Sequence, residues 1–388
     1  MPVVNRIAAF AEDMAAWRRH LHQHPEVGYD LPDTAAFVAE RLREIGVDEI
    51  HEGIAETGIV ALIRGQAPGP VIGLRADMDA LPMEERGNVP WRSTRPGAMH
   101  GCGHDGHTTM LLGAARYLAE TRAFAGTVAL IFQPAEEGGS GALRMVEEGI
   151  LDRFDIAEVY ALHNMPGAPV GTFYTTPGPI MAAVDEFRVK IAGRGGHGAY
   201  PHQTADPLMA AVAVAQALQT IVSRNHDPLQ DLVVSVTQIH AGTAHNIIPE
   251  TAFLGGTVRT FDKGVQAMVR RRMAEIVEGH AASYGVTATL DYIEGEPATV
   301  NDPEKTALAV EAAVEIAGGG NVNPATGPEM GAEDFSHMLE ARPGAYLFVG
   351  NGDTAGLHHP DYDFNDACAP WGASFFARLA ERRLPLAR

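Results

Sequence analysis

Residues 71–82, VIGLRADMDALP, and residues 108–120, TTMLLGAARYLAE, lie either side of the run Cys102-Gly103-His104-Asp105-Gly106-His107. The first segment is an apolar run of strand length, and the second carries apolar residues at helical spacing. A strand that passes through a glycine-containing turn into a helix is the repeating unit of α/β folds, and metal and ligand sites collect at such junctions. A thiolate and an imidazole two residues apart, on a backbone freed by Gly101, Gly103 and Gly106, can face one divalent ion without main-chain strain.

Histidine is common here, 17 of 388 residues, so a lone Cys-x-His would say little. Its company says more. The pair Glu136-Glu137 follows the strand-like TVALIFQPA, His163 follows EVYAL, and His358 lies in GLHHP. Each sits at or just past the end of an apolar run. In a site with two divalent ions, one carboxylate is needed as a ligand and a second, left unligated, moves the proton of the attacking water. Adjacent glutamates can divide those tasks because Gly138, Gly139 and Gly141 bend the chain behind them. Cys102 has a competing reading as a nucleophile beside His104 or His107. That reading leaves Glu136, Glu137, His163 and His358 without a task. His358 and His359 are adjacent, and spacing does not choose between them. The run GRGGHG at 193–198 fits the dinucleotide fingerprint G-x-G-x-x-G by its letters. AYPHQTADP comes after it where a helix is required, and the stretch near position 215 is alanine-rich where a ribose-binding acid is required.

Outward from the junction, helices are predicted near 4–23 and 32–46, strands near 57–64 and 70–76, a helix near 107–121 and a strand near 126–132. A helix near 140–149 and a strand near 157–163 complete an α/β pattern. From about 183 the rhythm changes to VDEFRVKIAG (strand), DPLMAAVAVAQALQTIVSR (helix), DLVVSVTQIHAG and ETAFLGGTVRTF (strands), GVQAMVRRRMAEIVEGHAASYG (helix) and TATLDYIEG (strand). That order, βαββαβ, is the ferredoxin-like module. After Pro297 the α/β pattern resumes, with helices near 303–317 and 333–340, the strand AYLFVG and a last helix near 366–383. The expected organisation is therefore a domain of residues 1–182 and 298–388 interrupted by an inserted domain of residues 183–297.

Composition narrows the function classes. A 388-residue chain that is 46% hydrophobic can bury full cores, and a net charge of −20 argues against nucleic acid or an anionic membrane as partner. A local arginine can still hold a small anionic substrate. Two cysteines imply no disulfide framework. The first residues, MPVVNRIAAFAEDMAAWRRH, read as an amphipathic helix and not as a signal peptide. With no run of about 20 apolar residues, a soluble cytoplasmic protein is expected.

The segments LHQHPEVGYD, GLRADMDALPMEE, MHGCGHDGHTTMLLGAA, IFQPAEEGGSGALRMVEEG, ALHNMPG, GRGGHGAYPH, GTAHNIIPETAFLGGTVRTF and GAEDFSHML together resemble the hippurate hydrolase and auxin-conjugate amidohydrolase branch of the aminoacylase/carboxypeptidase G superfamily. The matching blocks run from about residue 18 to 366. The resemblance implies an α/β catalytic domain with a mixed sheet, flanking helices and a dinuclear metal site, interrupted by a ferredoxin-like lid and dimerisation domain. It implies Cys102, His104, Glu137, His163 and His358 as ligands of two divalent ions per subunit, of zinc, manganese, cobalt or nickel, and Glu136 as general base. It makes His197 a lid histidine that reaches the partner subunit's site, and Asn246 and Arg259 holders of the substrate's carbonyl and carboxylate. Asp77 takes the position of an aspartate behind the metals. Arg75 stands where the wider superfamily has a histidine ligand, a departure that Cys102 with His104 compensates. The expected activity is hydrolysis of N-acyl amino acids to a carboxylic acid and a free amino acid in a homodimer or dimer-based oligomer. The alternatives are an acyl-diaminoacid, carbamoyl or dipeptide substrate, or a non-catalytic binding protein of the same fold.

Overall fold

The structure is a computed structural model and describes residues 4–387. The chain divides into two compact units. The first comprises the described residues up to Ile180, Thr299–Pro328 and those from Asp334 onward; the second comprises Met181–Ala298 with Glu329–Glu333.

In the first unit an eight-stranded sheet runs in the order Glu49–Ile54, Gly58–Arg64, Ala125–Gln133, Ala67–Asp77, Ile156–Pro166, Gly344–Gly352, Phe173–Tyr174, Val322–Asn323. The four strands from Ala125–Gln133 to Gly344–Gly352 are mutually parallel, and antiparallel partners flank them. The strand AGTVALIFQ is apolar along most of its length because both faces are covered: every residue from Val128 to Gln133 is buried. The helix His104–Thr121 packs against Ala11–Gln23 and Ala369–Arg383, with Met14, Leu111, Leu118, Phe375 and Phe376 in the shared core. Parallel packing places Asp77, the turn after Gln133 and the end of Ile156–Pro166 at one end of the sheet, where the helix His104–Thr121 begins. Gly103 precedes that helix at φ +94°, a conformation side chains resist, and a Cβ there would lie 2.3 Å from Asn164 Nδ2.

The second unit is a four-stranded antiparallel sheet in the order Leu232–Ala241, Thr251–Thr260, Ala183–Ala192, Thr287–Glu294. Helices Pro207–Thr220 and Lys263–Tyr284 bury Phe187, Val189, Ile191, Leu254 and Val258 on one face. The other face is wetter, so Ala183–Ala192 alternates along nearly its whole length between buried and exposed residues. Asp206 and Asp262 cap the two helices by accepting from Leu208 and Val265 backbone N–H groups.

Several details differ from the sequence reading. The helix expected over 4–23 is interrupted, with Asn5–Ala8 and Ala11–Gln23 separated by Ala9 and Phe10. The polar edge strand Glu49–Ile54 and the two-residue strands carry no periodic signal long enough to read. Glu329–Glu333, assigned by sequence to the first domain, groups with the second unit because Ala182 N–H donates to the carbonyls of Glu329 and Gly331. No helix of the described residues is long and apolar enough to cross a membrane.

Candidate metal centre

Cys102 and His104 enter from the glycine turn before the helix His104–Thr121, and both are buried. The Cys102 Sγ lies 3.4 Å from His163 Nε2. His163 comes from the parallel strand Ile156–Pro166, and its Nδ1 donates to the Asn164 carbonyl at 2.7 Å, which leaves the Nε2 lone pair toward the thiol. On the other side, His358 Nε2 lies 3.2 Å from Glu137 Oε1. The His358 backbone adopts φ +61°, rare for a residue with a side chain, and is pinned there by its N–H bond to the Gly101 carbonyl.

These side chains form two groups of three whose ligand atoms lie within 4.8 Å of one another: Cys102 with His104 and His163, and Cys102 with Glu137 and His358. The thiol is common to both. A third group joins His104 to Glu136 and Glu137, with His104 Nε2 4.0 Å from Glu136 Oε2 and from Glu137 Oε1.

The donors fit divalent ions. His104 is fully buried, and its Nε2 makes no hydrogen bond among the described residues but faces the carboxylates of Asp77, Glu136 and Glu137 at 3.8, 4.0 and 4.0 Å, while Nδ1 lies 3.4 Å from Asp79 Oδ1. A buried polar atom left without a hydrogen bond costs about 1–3 kcal/mol, a cost that an ion bound at His104 Nε2 would offset. Thiol, imidazole and carboxylate together are a donor set for zinc and its neighbours in the first transition row. Burial holds His163 well below the usual imidazole range, in the neutral form that a metal ion binds. Burial also pushes the Cys102 thiol up, against the pull of His104.

A buried hydrogen-bonded shell surrounds the donors. Asp77 Oδ1 accepts from His107 Nδ1 at 2.6 Å, and His107 Nε2 accepts from the Asn164 backbone N–H at 2.9 Å. Both nitrogens of His107 are therefore used, which removes it as a ligand although it neighbours Asp77 and His104. Burial pushes Asp77 up, but the charge of Arg75 and the hydrogen bond from His107 outweigh this and hold it well below the carboxylate range. Arg75 bonds Asp77 Oδ2 at 2.6 Å, Gln133 Oε1 at 2.8 Å and Asp334 Oδ1 at 3.0 Å. Its guanidinium is a structural cation joining the carboxylates behind the site. Asn164 donates from Nδ2 to the Cys102 carbonyl and accepts from Tyr362 Oη at 2.7 Å. His359 turns into its own loop, with Nδ1 accepting from the Asp361 N–H, so of the adjacent pair it is His358 that approaches Glu137 and Cys102.

The turn carrying Glu136 and Glu137 departs from regular geometry. Ala135 and Ser140 have φ of +54° and +53°, and Glu137 has a non-helical ψ of 71°. Left-handed backbone at residues with side chains costs about 1–3 kcal/mol each and persists where the surroundings hold it. Asp79, Asn164 and Tyr362 were missed by sequence reasoning. Asp79 repeats Asp77 at a spacing of two, and Asn164 directly follows a ligand candidate, so both had a faint local signal.

His197, Asn246 and Arg259 lie in the second unit. The short strands Gly196–His197 and Ile247–Ile248 pair, opposing His197 to Ile247, and the Asn246 carbonyl accepts from Gly198 N–H at 2.8 Å. His197 and Asn246 are thus close neighbours. His197 is exposed, and its Nδ1 accepts from Ala199 N–H at 3.1 Å, so the neutral ring carries its proton on Nε2 as a donor. Arg259 is half-buried, which lowers its pKa, and its guanidinium has no hydrogen bond or ion pair among the described residues. The GRGGHG run opens no helix; a three-residue 3-10 turn, Pro201–Gln203, comes after it.

Residues 73–382 match the sequence profile of peptidase family M20/M25/M40. The chain belongs to this family. Among relatives, it is 41% identical over 383 residues to an N-acetyl-L-cysteine deacetylase of Bacillus subtilis, spanning 97% of this chain and 89% of that one. It is 41% identical over 367 residues to a hippurate hydrolase of Campylobacter jejuni, spanning 95% of each. A crystal structure described as a dinuclear metal-binding peptidase of the M20 family, from Bacillus subtilis, superposes with a TM-score of 0.86 at 36% identity, covering 97% of this chain and 99% of that one. The α/β class and the hippurate hydrolase and auxin-conjugate amidohydrolase branch expected from the motifs are therefore both met.

Proposed function

We propose that this M20 chain is a metal-dependent amidohydrolase that cleaves N-acyl amino acids to a carboxylic acid and a free amino acid. The observation that carries the reading is the thiol of Cys102 shared between two three-donor groups, with the carboxylate pair Glu136-Glu137 at their edge. The relatives named for deacetylation of N-acetylcysteine and hydrolysis of hippurate support the substrate class.

Cys102, His104, Glu137, His163 and His358 would hold two divalent ions, of zinc, manganese, cobalt or nickel. Bound ions of this kind polarise a carbonyl and lower the pKa of water toward neutrality. Glu136 takes a proton from the water that attacks the amide carbon and delivers it to the leaving nitrogen, so that the C–N bond breaks with a neutral amine departing. His197 donates from Nε2 to the carbonyl oxygen as charge develops there, Asn246 assists in holding that carbonyl, and Arg259 receives the α-carboxylate in its planar fork. The unpaired guanidinium of Arg259 supports this last assignment. His197 serves the neighbouring subunit's site in a homodimer. The edge strand Leu232–Ala241, hydrogen-bonded on one side only and exposing Ile239, supports self-association through the second unit.

A panel of acetyl, benzoyl and indole-acetyl amino acids, assayed with metal-depleted and metal-restored protein, tests the reading. Release of equimolar acid and amino acid only after restoration is expected. Release from dipeptides or carbamoyl amino acids alone would replace the substrate class, and no release from any of them would overturn the enzymatic reading.

A further inference from the structure

The catalytic scheme gives no task to Asp79, a carboxylate only 1% exposed at the end of the segment GLRADMD. Its oxygens face three groups at once. Oδ1 accepts from the Glu136 backbone N–H at 3.0 Å, and Oδ2 from the Glu137 backbone N–H at 3.1 Å. His104 Nδ1 lies 3.4 Å from Oδ1. One carboxylate therefore spans the backbone of the base, the backbone of a ligand candidate and the ring of another.

We infer that Asp79 is the positioning residue that locks Glu136, Glu137 and His104 into one unit. The inference rests on the roles proposed above for those three residues. Two adjacent backbone N–H groups aimed at a single carboxylate fix the orientation of the turn, including the left-handed Ala135 that leads into it. Farther along the turn, Tyr29 Oη donates to the Gly139 carbonyl at 2.6 Å, and Ala142 N–H to Asp334 Oδ2 at 2.9 Å. On the ring side, a ligating histidine needs an acceptor for its second nitrogen, which fixes the tautomer and the ring plane. Asp79 Oδ1 is the acceptor available to Nδ1, leaving Nε2 for the site. A carboxylate is required because it has acceptors on both oxygens and no donor. Asparagine has the same shape but offers one acceptor, and its amide hydrogens would meet one of the three donors head-on.

The test is Asp79→Asn in the full-length protein, measured alone and with Glu136→Gln. Expected for Asp79→Asn are a divalent-ion affinity lower by about 10–100-fold in competition with a chelator and a kcat lower by a similar factor, with KM nearly constant. In zinc-loaded protein carrying 15N-labelled histidine, the downfield Nδ1–H resonance of His104 should move upfield or vanish. Because Asp79 acts through Glu136, adding Asp79→Asn to Glu136→Gln should cost little further kcat at saturating metal. Unchanged metal affinity and kcat, or an equal kcat loss in both backgrounds, would overturn the inference. A Glu136→Gln protein of normal kcat would instead defeat the general-base reading, so the two failures are distinguishable. Should Asp79→Asn not fold, hydrogen exchange in the unaltered enzyme decides: the Glu136 and Glu137 amides should be protected by about 100-fold or more, and exchange at the rate of open amides would refute the lock.

Discussion

The two adjacent glutamates separate by what surrounds each of them. Glu137 Oε1 is buried and faces His358, whereas Glu136 reaches His104 Nε2 at the longer distance of 4.0 Å and belongs to neither thiol-centred group. Glu136→Gln is therefore expected to retain both metal ions and substrate affinity while losing about 10²-fold or more in turnover. Glu137→Gln should lose metal. Metal analysis giving the reverse pattern would exchange the roles. Cys102→Ala removes the atom common to both donor groups and should cost at least one ion; a fully active variant with two ions bound would refute the shared thiol.

At the scale of elements, the strand Ala67–Asp77 and the helix His104–Thr121 were legible because apolar runs and helical spacing are local properties of the chain. The same holds for the strands ending near Gln133 and His163. The direct strand-to-helix turn expected at Cys102, by contrast, is a long irregular segment running from Met78 to Gly103. The shell behind the ligands was not legible, because its bonds join residues far apart in sequence: Asp79 to Glu136 across 57 positions, and Tyr362 to Asn164 across 198. Arg75 was visible as a departure from a ligand pattern, but its use as a tie between Asp77 and Asp334 needed the parallel register to bring those carboxylates together. That His358 and not His359 approaches Glu137 depends on a backbone hydrogen bond that no spacing rule contains.

Gly103 tests how tightly the turn must close. Alanine there meets both a left-handed backbone and close atoms, with Tyr362 Oη 2.5 Å from the Cβ position in addition to Asn164. Gly97 has a comparable φ of +75° with nothing within 4 Å of its Cβ. Gly103→Ala should therefore destabilise the metal-free protein by about 2–5 kcal/mol in chemical denaturation, and Gly97→Ala by about 1–3 kcal/mol, the difference being the packing contribution. Equal losses would show that the Asn164 and Tyr362 side chains yield.

For the whole molecule, the proposed exchange of His197 between subunits has a consequence that single variants cannot mimic. Mixing inactive Glu136→Gln with inactive His197→Ala, with subunit exchange verified, should regenerate sites that own Glu136 and borrow the partner's His197. Random pairing sets a ceiling of about one quarter of the unaltered activity, since half the dimers are mixed and each holds one competent site of two. Mixtures that stay as inactive as their parents would confine His197 to its own chain.

The interruption of the first unit by the second also orders events during synthesis. The chain emerges from its N-terminus, and domains close as their parts become available. The four-stranded sheet of the second unit and the two helices that cover it lie between Ala183 and Glu294, and they can assemble while the ribosome is still translating the C-terminal residues. The first unit must wait with an exposed edge on Ile156–Pro166 until Gly344–Gly352 arrives to pair with it, and His358 is made later still. The earlier ligand candidates Cys102, His104, Glu137 and His163 therefore stand without it until then. With the ligand set proposed above, the site could be completed only after His358 is made, and a nascent chain stalled inside the second unit would carry Cys102, His104 and His163 without it.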